Sequence, residues 1–247
     1  MATASLIIIG NEILSGRTKD ENLPYLAQRL AEWGVPMTEA RVVLDVEADI
    51  VRAVNDCRRT HDYVFTTGGI GPTHDDITAA AVAKAFGVRL VRDPEAVRRL
   101  QAQYPPGELN EARLKMADVP EGAELIDNPV SRAPGFRIEN VFVLAGIPSI
   151  MRAMVESLRH MVVGGAPIQS RAVRFHLAEG VVAKGLGELA ARYPELSVGS
   201  YPFYRQGTFG VVVVLRGTDG AKLDQANEEL NRLVRSLGGT PVQETAS

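Results

Sequence analysis

The sequence has a single cysteine, Cys57, among 247 residues. One cysteine excludes a disulfide within the chain. The four histidines do not pair with one another at helical spacing, so we predict no zinc site and assign Cys57 to core packing. The sequence also lacks the basic stretch and small-residue cleavage pattern of a signal peptide. These absences predict a cytoplasmic protein.

Long hydrophobic runs and an excess of positive charge are also missing. The longest apolar stretch, residues 209–215, has the length of a strand and falls far short of the roughly 18 residues of a membrane span. The net charge is −3, whereas a nucleic-acid binder needs a basic face. We therefore expect neither a membrane nor a nucleic acid as a partner. With 45% hydrophobic residues, the chain can bury a substantial core.

Short apolar runs alternate with amphipathic segments along the first two thirds of the chain. This alternation predicts an α/β fold with a parallel sheet and right-handed crossovers over residues 1–165. A linker at residues 164–167 precedes a different pattern. There the order β-α-β-β-α over residues 170–240 predicts a small α+β domain of ferredoxin-like type. We expect the residues from Gly238 onward to be frayed.

Glycines, amides, hydroxyls and carboxylates follow the ends of four predicted strands. These residues are Gly10-Asn11-Glu12, Asp45, Thr66-Thr67-Gly68-Gly69 and Gly146-Ile147-Pro148-Ser149. The carboxyl ends of parallel strands meet at one edge of an open sheet, and ligands bind outside that edge. The sequence therefore predicts a binding site there.

The segment from Thr67 to Asp76 is the centre of this predicted site. Its three glycines, Gly68, Gly69 and Gly71, allow the backbone to turn tightly and to approach a ligand closely. We expect the next helix to begin near Asp75, and a helix N-terminus favours an anion. Hydroxyls of Thr67, Thr73 and Thr78 would add donors, so a phosphate or pyrophosphate is the predicted ligand. The alternative is a strand-to-helix turn that binds nothing.

Two adjacent carboxylates, Asp75 and Asp76, stand beside this predicted anion site. Asp45 and Glu12 are expected at the same edge. Carboxylates repel a phosphate unless a hard cation lies between them, so the set suits Mg²⁺, or Mn²⁺ or Co²⁺ in its place. The alternative is that Asp75 caps the helix and Asp76 offsets its dipole. The loop is not a Walker A motif, and His74 occupies the third glycine position of a dinucleotide-binding pattern.

The segment Thr66-Thr67-Gly68-Gly69-Ile70-Gly71-Pro72-Thr73-His74-Asp75-Asp76-Ile77-Thr78 resembles the signature of the molybdopterin-binding (MoaB/Mog-like) domain. The segment Gly10-Asn11-Glu12-Ile13-Leu14-Ser15-Gly16 resembles the first strand-end loop of that domain. Later motifs, Pro120-Glu121-Gly122-Ala123, Asn128-Pro129 and Ala133-Pro134-Gly135-Phe136, resemble the CinA (competence/damage-inducible protein A) branch. The chain is also similar to the N-terminal domain of eukaryotic FAD synthases.

The resemblance implies a three-layer MoaB/Mog-type fold, with a parallel sheet that is mixed at its edge, binding molybdopterin or a nucleotide. It assigns catalytic roles to Asp45 and Asp76, and metal binding to Asp45, Asp75 and Asp76. It further implies a homo-oligomer, a dimer or a trimer. The residues that it assigns to ligand binding are Gly10, Asn11, Glu12, Ser15, Gly16, Thr67, Gly68, Gly69, Gly71, Pro72, Thr73, Thr78, Pro134, Gly135, Gly146, Pro148 and Ser149.

Three activities are compatible with this resemblance. The CinA branch and the FAD-synthase relatives imply metal-dependent hydrolysis of a nucleotide pyrophosphate, such as ADP-ribose or FAD, which we take as the leading hypothesis. A binding module without catalysis and a molybdopterin adenylyltransferase of molybdenum-cofactor biosynthesis are the alternatives. Ile150 stands where the CinA pattern L-P-G-x-P-S-E has glutamate, and Arg132 stands where its G-T-A-P-G pattern is neutral.

Overall fold

The computed structural model describes residues 2–205 and 207–244, which form two compact units. The first unit ends at Gly165 and the second begins at Ala166. Within the described residues, no helix combines the length and the apolar character that crossing a bilayer requires.

Strands and helices alternate through the first unit. Its strands are β1 (Ala4–Ile9), β2 (Met37–Val43), β3 (Tyr63–Thr67), β4 (Leu90–Arg92), β5 (Asp118–Pro120), β6 (Glu124–Ile126), β7 (Gly135–Ile138) and β8 (Val141–Leu144). Its helices are α1 (Asn11–Leu14), α2 (Asn22–Glu32), α3 (Glu47–Thr60), α4 (Thr78–Phe86), α5 (Pro94–Gln103), α6 (Glu111–Leu114) and α7 (Pro148–Ser157). Two 3-10 turns cover Lys115–Ala117 and Arg159–Met161.

The main sheet of this unit has the strand order β2-β1-β3-β8-β7-β6. Strands β2, β1, β3 and β8 run parallel, whereas β7 is antiparallel to both of its neighbours. Strands β4 and β5 form a separate antiparallel pair. The mixed α/β sheet of MoaB/Mog type that the sequence predicts is thus confirmed.

Each face of the main sheet is covered by its own hydrophobic cluster. One cluster joins alternate residues of β1 and β3, such as Leu6 and Phe65, to helices α2 and α7. The other joins the intervening residues, such as Ile7 and Val64, to helices α3 and α4. Every residue of β1 is therefore buried, as expected for a strand with helices on both sides.

Helix α4 begins three residues later than expected. Its first residue is Thr78, whereas the sequence predicts a start near Asp75. Thr73 explains the difference, because its backbone N–H and its hydroxyl both donate to the Asp76 carboxylate. These bonds hold residues 73–76 in a turn of their own. The helix ends at Phe86, and Gly87 adopts the left-handed conformation (φ 67°) that commonly closes a helix.

The second unit contains the elements β9 (Gln169–Phe175), α8 (Glu179–Arg192), β10 (Ser197–Arg205), β11 (Thr208–Gly217), α9 (Gly220–Ser236) and β12 (Val242–Glu244). Its sheet has the order β10-β11-β9-β12 with every pair antiparallel. The order β-α-β-β-α-β extends the predicted pattern by one strand. The expectation that the chain frays from Gly238 onward is therefore wrong for residues 242–244, which pair with β9. Residues 245–247 lie outside the described part of the chain.

Candidate binding site at the carboxyl edge of the sheet

The structure confirms that four strand ends meet at one edge of the main sheet. Strands β2, β1, β3 and β8 are parallel neighbours, so the residues that follow each of them emerge on the same side. Two of these connections touch directly, because a methyl group on Gly146 would lie 3.1 Å from the Gly68 Cα. The Gly146 carbonyl also accepts a hydrogen bond from the buried Asn22 side chain at 2.8 Å. The floor of this edge is therefore closely packed backbone.

The loop between β3 and α4 takes a shape that only glycine allows. Gly68 and Gly69 have φ values of 101° and 67°, in the region that residues with a Cβ avoid. A methyl group on Gly68 would lie 2.2 Å from the Ile9 carbonyl oxygen, and one on Gly69 would lie 2.2 Å from Thr78 Oγ1. Thr78 fixes the loop from the other side, since its hydroxyl donates to the Gly68 carbonyl at 2.9 Å.

Three consecutive backbone N–H groups of this loop, those of Gly69, Ile70 and Gly71, donate to no atom of the described residues. The amides at the two ends of the loop are satisfied internally, since Gly68 donates to Leu144 O and Thr78 donates to Gly69 O. Successive free N–H groups in a glycine-rich turn form a concave surface that binds anions. This part of the loop can therefore donate hydrogen bonds to a negatively charged group.

A small, open cleft lies beside these free N–H groups. Its walls come from the loop, from the first turn of α4, from β5 and from the start of β7. Four of the predicted site residues line it: Gly69, Gly71, Asp76 and Pro134. The other lining residues are Ile70, Ala79, Ala80, Leu90, Lys115, Met116, Asp118, Val119 and Phe136. Polar groups therefore gather on the loop side, and most of the remaining wall is apolar.

Asp75 and Asp76 converge on a single hydroxyl group. Thr73 Oγ1 lies within hydrogen-bond distance of a carboxylate oxygen from each of them. A hydroxyl carries one proton, so it can donate to only one carboxylate at a time. The hydrogen bond from Thr73 lowers the pKa of Asp75 below its ordinary value, so this group is ionised at neutral pH. The two carboxylates therefore compete for one hydroxyl proton, and Asp76 accepts the Thr73 backbone N–H as well.

Asp45 and Asn11 bind each other across the ends of β2 and β1. The backbone N–H of Asn11 donates to the Asp45 carboxylate at 2.9 Å, and Asn11 Oδ1 accepts from the Asp45 N–H at 3.4 Å. Asp45 therefore lies at the predicted edge. It does not join Asp75 and Asp76 in a three-ligand cluster, because the described residues hold one such cluster and it lies elsewhere in the fold.

Several other predicted residues belong to the same edge without lining the cleft. The Glu12 carboxylate folds back over Gly10, Ser15 donates to the Glu12 carbonyl, and Gly16 has a φ of 71°. Thr73 and Pro72 are exposed at the tip of the loop, while Pro148 and Ser149 begin α7. The buried hydroxyl of Thr67 has no partner among the described residues. Gly135 packs against β8, where a methyl group would lie 2.3 Å from Val143 O. Ligand contacts by these residues stay predictions.

Sequence analysis missed the cleft wall opposite the loop. Lys115 is the most notable omission, because its ammonium group donates to the Thr73 carbonyl at 2.5 Å and lies in the cleft beside Asp76. A single lysine in a short helical segment belongs to no sequence pattern that would identify it as a site residue. Strands β4 and β5, which place this wall, are three residues long and gave no periodic signal.

The chain matches the models of two protein families. Residues 5–163 match the model of the probable molybdopterin binding domain, and residues 167–238 match that of the FAD synthase middle domain. A protein from Aeropyrum pernix is 34% identical over an alignment of 260 positions, which covers 98% of this chain and 97% of the relative. A protein from Archaeoglobus fulgidus is 32% identical over 229 residues, which cover 93% of this chain and 96% of the relative.

Among solved structures, CinA from Thermoplasma acidophilum, described as a protein of unknown function, is similar to the first unit. The two share 34% sequence identity with a TM-score of 0.62, and the match covers 65% of this chain and 97% of that one.

Proposed function

Because the chain belongs to the molybdopterin-binding domain family in its CinA-like form, we propose that it binds a phosphorylated nucleotide or pterin in the cleft beside the β3–α4 loop. We further propose that it hydrolyses the pyrophosphate bond of a nucleotide diphosphate derivative, of the ADP-ribose or FAD class, with a divalent metal ion. The observation that carries this proposal is the row of free N–H groups at Gly69, Ile70 and Gly71.

Two further features favour a phosphate at this row. The N-terminus of α4 has no side-chain cap, and Ala79 and Ala80 of its first turn line the cleft. N–H groups in a first turn lack intrahelical partners, and the helix dipole adds partial positive charge. Lys115 also lines the cleft, and its ammonium group, which donates to the Thr73 carbonyl, adds a full positive charge beside the loop. A phosphate in the cleft would thus meet backbone donors and a cation.

The apolar wall suits the other half of such a ligand. Ile70, Leu90, Val119 and Phe136 contribute the apolar part of the cleft lining. Ligand sites commonly combine a largely apolar lining with a few convergent polar groups. We assign the flat heterocycle of a nucleotide or pterin to this wall.

The donor set beside the loop fits a divalent cation. Asp75 and Asp76 place two carboxylate oxygens around one hydroxyl proton, which leaves negative charge that a cation would offset. Mg²⁺ is usually held by one or two carboxylates together with substrate phosphates, so a cage of three protein ligands is not required. Bound there, such an ion would neutralise phosphate charge and polarise the scissile bond.

Asp76 is the carboxylate to which we assign the catalytic role. It lines the cleft, and the N–H and hydroxyl of Thr73 fix its orientation. A carboxylate held in this way can orient a water molecule toward phosphorus and accept its proton. Asp45, held by Asn11 at the same edge, remains a predicted participant.

The test is AMP release from ADP-ribose, FAD or ATP in the presence of Mg²⁺, Mn²⁺ or Co²⁺. We expect metal-dependent turnover that Asp76→Asn lowers by about a hundredfold or more. Asp127→Asn is the matched control, since this exposed carboxylate pairs with Arg99 and does not line the cleft. Turnover that Asp76→Asn leaves unchanged would refute the assignment.

Binding and chemistry are separated by a second measurement on the same samples. Calorimetric titration with ADP-ribose should show weaker binding for Lys115→Met than for Lys84→Met, whose lysine pairs with Glu47 on the surface. Ligand binding without any turnover would support the non-catalytic module. Pyrophosphate release from ATP that requires added molybdopterin would support the adenylyltransferase.

A further inference from the structure

A second group of potential metal ligands lies between β2 and α3. Glu39, Cys57 and His61 each offer one ligand atom, and these atoms all lie within 4.8 Å of one another. Glu39 is near the start of β2, whereas Cys57 and His61 are at the end of α3 and just after it. This position is remote from the carboxyl edge, which the opposite end of β2 reaches.

The carboxylate of this group is held in place by a neighbouring arginine. Arg41 donates to Glu39 Oε1 at 2.5 Å and to the Asp56 carboxylate at 3.1 Å. The other oxygen, Glu39 Oε2, accepts no hydrogen bond from Arg41 and lies 3.7 Å from His61 Nε2. The Arg41 charge is matched by Asp56, so Glu39 and a Cys57 thiolate would supply the two negative charges that neutralise a divalent ion.

The hydrogen bonds of His61 leave its other nitrogen available. Its Nδ1 lies 3.2 Å from the Cys57 carbonyl oxygen and 2.9 Å from Thr60 Oγ1. In the tautomer with its proton on Nδ1, His61 donates to the Cys57 carbonyl, and the lone pair then lies on Nε2. Metal-binding histidines are oriented in this way, with one ring nitrogen donating to a backbone carbonyl and the other facing the metal.

Two of the three ligands are shielded from solvent. Cys57 is fully buried and the His61 side chain is 9% exposed, whereas the Glu39 side chain is 34% exposed. Ligand atoms around a tetrahedral zinc ion lie roughly 3.5 Å apart, so the pair formed by His61 and Glu39 already has a suitable separation. The Cys57 sulfur lies within 4.8 Å of both other ligand atoms.

We propose that Glu39, Cys57 and His61 bind a borderline divalent ion of the zinc class, which pins the end of α3 to the edge strand β2. A thiolate, an imidazole and a carboxylate form a ligand set that suits zinc, with a water molecule completing a tetrahedron. Binding releases the thiol proton of Cys57 to solvent. This reverses the sequence-based expectation of no zinc site, because the pairing at i and i+4 joins a cysteine to a histidine.

The single cysteine makes Co²⁺ a specific probe, since any thiolate-to-cobalt charge-transfer band must arise from Cys57. We expect one equivalent of Co²⁺ to produce this near-ultraviolet band, together with the visible bands of tetrahedral cobalt, and Zn²⁺ to abolish both. A metal ion at Asp75 and Asp76 gives no such band, so this readout is independent of the proposed catalytic site.

Three variants test the ligand assignment, with circular dichroism to verify that each is folded. His61→Asn and Glu39→Gln retain the cysteine and should lower cobalt affinity at least about tenfold. His160→Asn, which alters an exposed histidine, should bind as the unmodified chain does. The absence of a charge-transfer band with excess Co²⁺ would overturn the proposal, as would a band that both His61→Asn and Glu39→Gln leave unchanged.

Discussion

Replacing Gly69 by alanine tests whether the shape of the β3–α4 loop depends on a missing side chain. Gly69 has a φ of 67°, and a methyl group there would lie 2.2 Å from Thr78 Oγ1. Thr78 is fully buried, and its hydroxyl holds the Gly68 carbonyl. The new methyl group must therefore displace a packed side chain or open the loop.

The matched control is Gly87→Ala, because Gly87 has the same φ of 67° and open space around it. An alanine in the left-handed conformation costs about 1–2 kcal/mol, which both variants share. Gly69→Ala should lower the free energy of unfolding by a further amount of about 1–3 kcal/mol (the cost of an unpaired buried group), because the hydrogen bond from Thr78 is broken and the Gly68 carbonyl loses its donor. The predicted difference between the variants is therefore about 1–3 kcal/mol.

Trp33 provides the assay, since it is the single tryptophan of the chain and is 7% exposed within the first unit. Urea titrations followed by its fluorescence report the free energy of unfolding of that unit. ADP-ribose titrations of both variants should show weakened binding for Gly69→Ala alone. Equal free energies of unfolding for the two variants, with equal affinities, would refute this account of the loop.

Three further changes have defined outcomes. Thr78→Val should lower the free energy of unfolding by about 1–3 kcal/mol in the same assay, because the buried Gly68 carbonyl loses its donor; an unchanged value would contradict this. Arg29 lowers the pKa of the Glu156 carboxyl, so the pair formed by these two residues stabilises the folded state fully above about pH 4.3. This stabilisation of the fold is lost as the pH falls through the lowered pKa. Glu156→Gln should therefore flatten the acid limb of a stability-against-pH curve, and an identical limb would argue against the pair. Truncation after residue 240 removes β12 and should lower the melting temperature of the second unit by calorimetry, whereas an unchanged value would show that this strand adds nothing.

The sequence predicts those parts of the fold that local residue patterns determine. The alternation of short apolar runs with amphipathic segments indicates a parallel sheet with crossover helices, and the structure shows parallel strands such as β1, in which every residue is buried. The glycines after β3 predict a close backbone turn.

The rest depends on contacts between distant segments. Strands β4, β5 and β12 have three residues each, too few to show a period of two, so pairing partners rather than local pattern define them. Lys115 reaches Thr73 across 42 residues, and no local signal marks that contact. Likewise, Asp75 and Asp76 fit a helix cap by sequence, and only the competing hydrogen bonds from Thr73 place them in a separate turn.

Anion binding by the β3–α4 loop can be observed in a crystal of the protein soaked with ADP-ribose and Mg²⁺. We expect phosphate oxygens within hydrogen-bond distance of the N–H groups of Gly69, Ile70 and Gly71, with the Lys115 ammonium group also beside the ligand. Density for the ligand at another part of the molecule, with these three N–H groups left facing solvent, would contradict it.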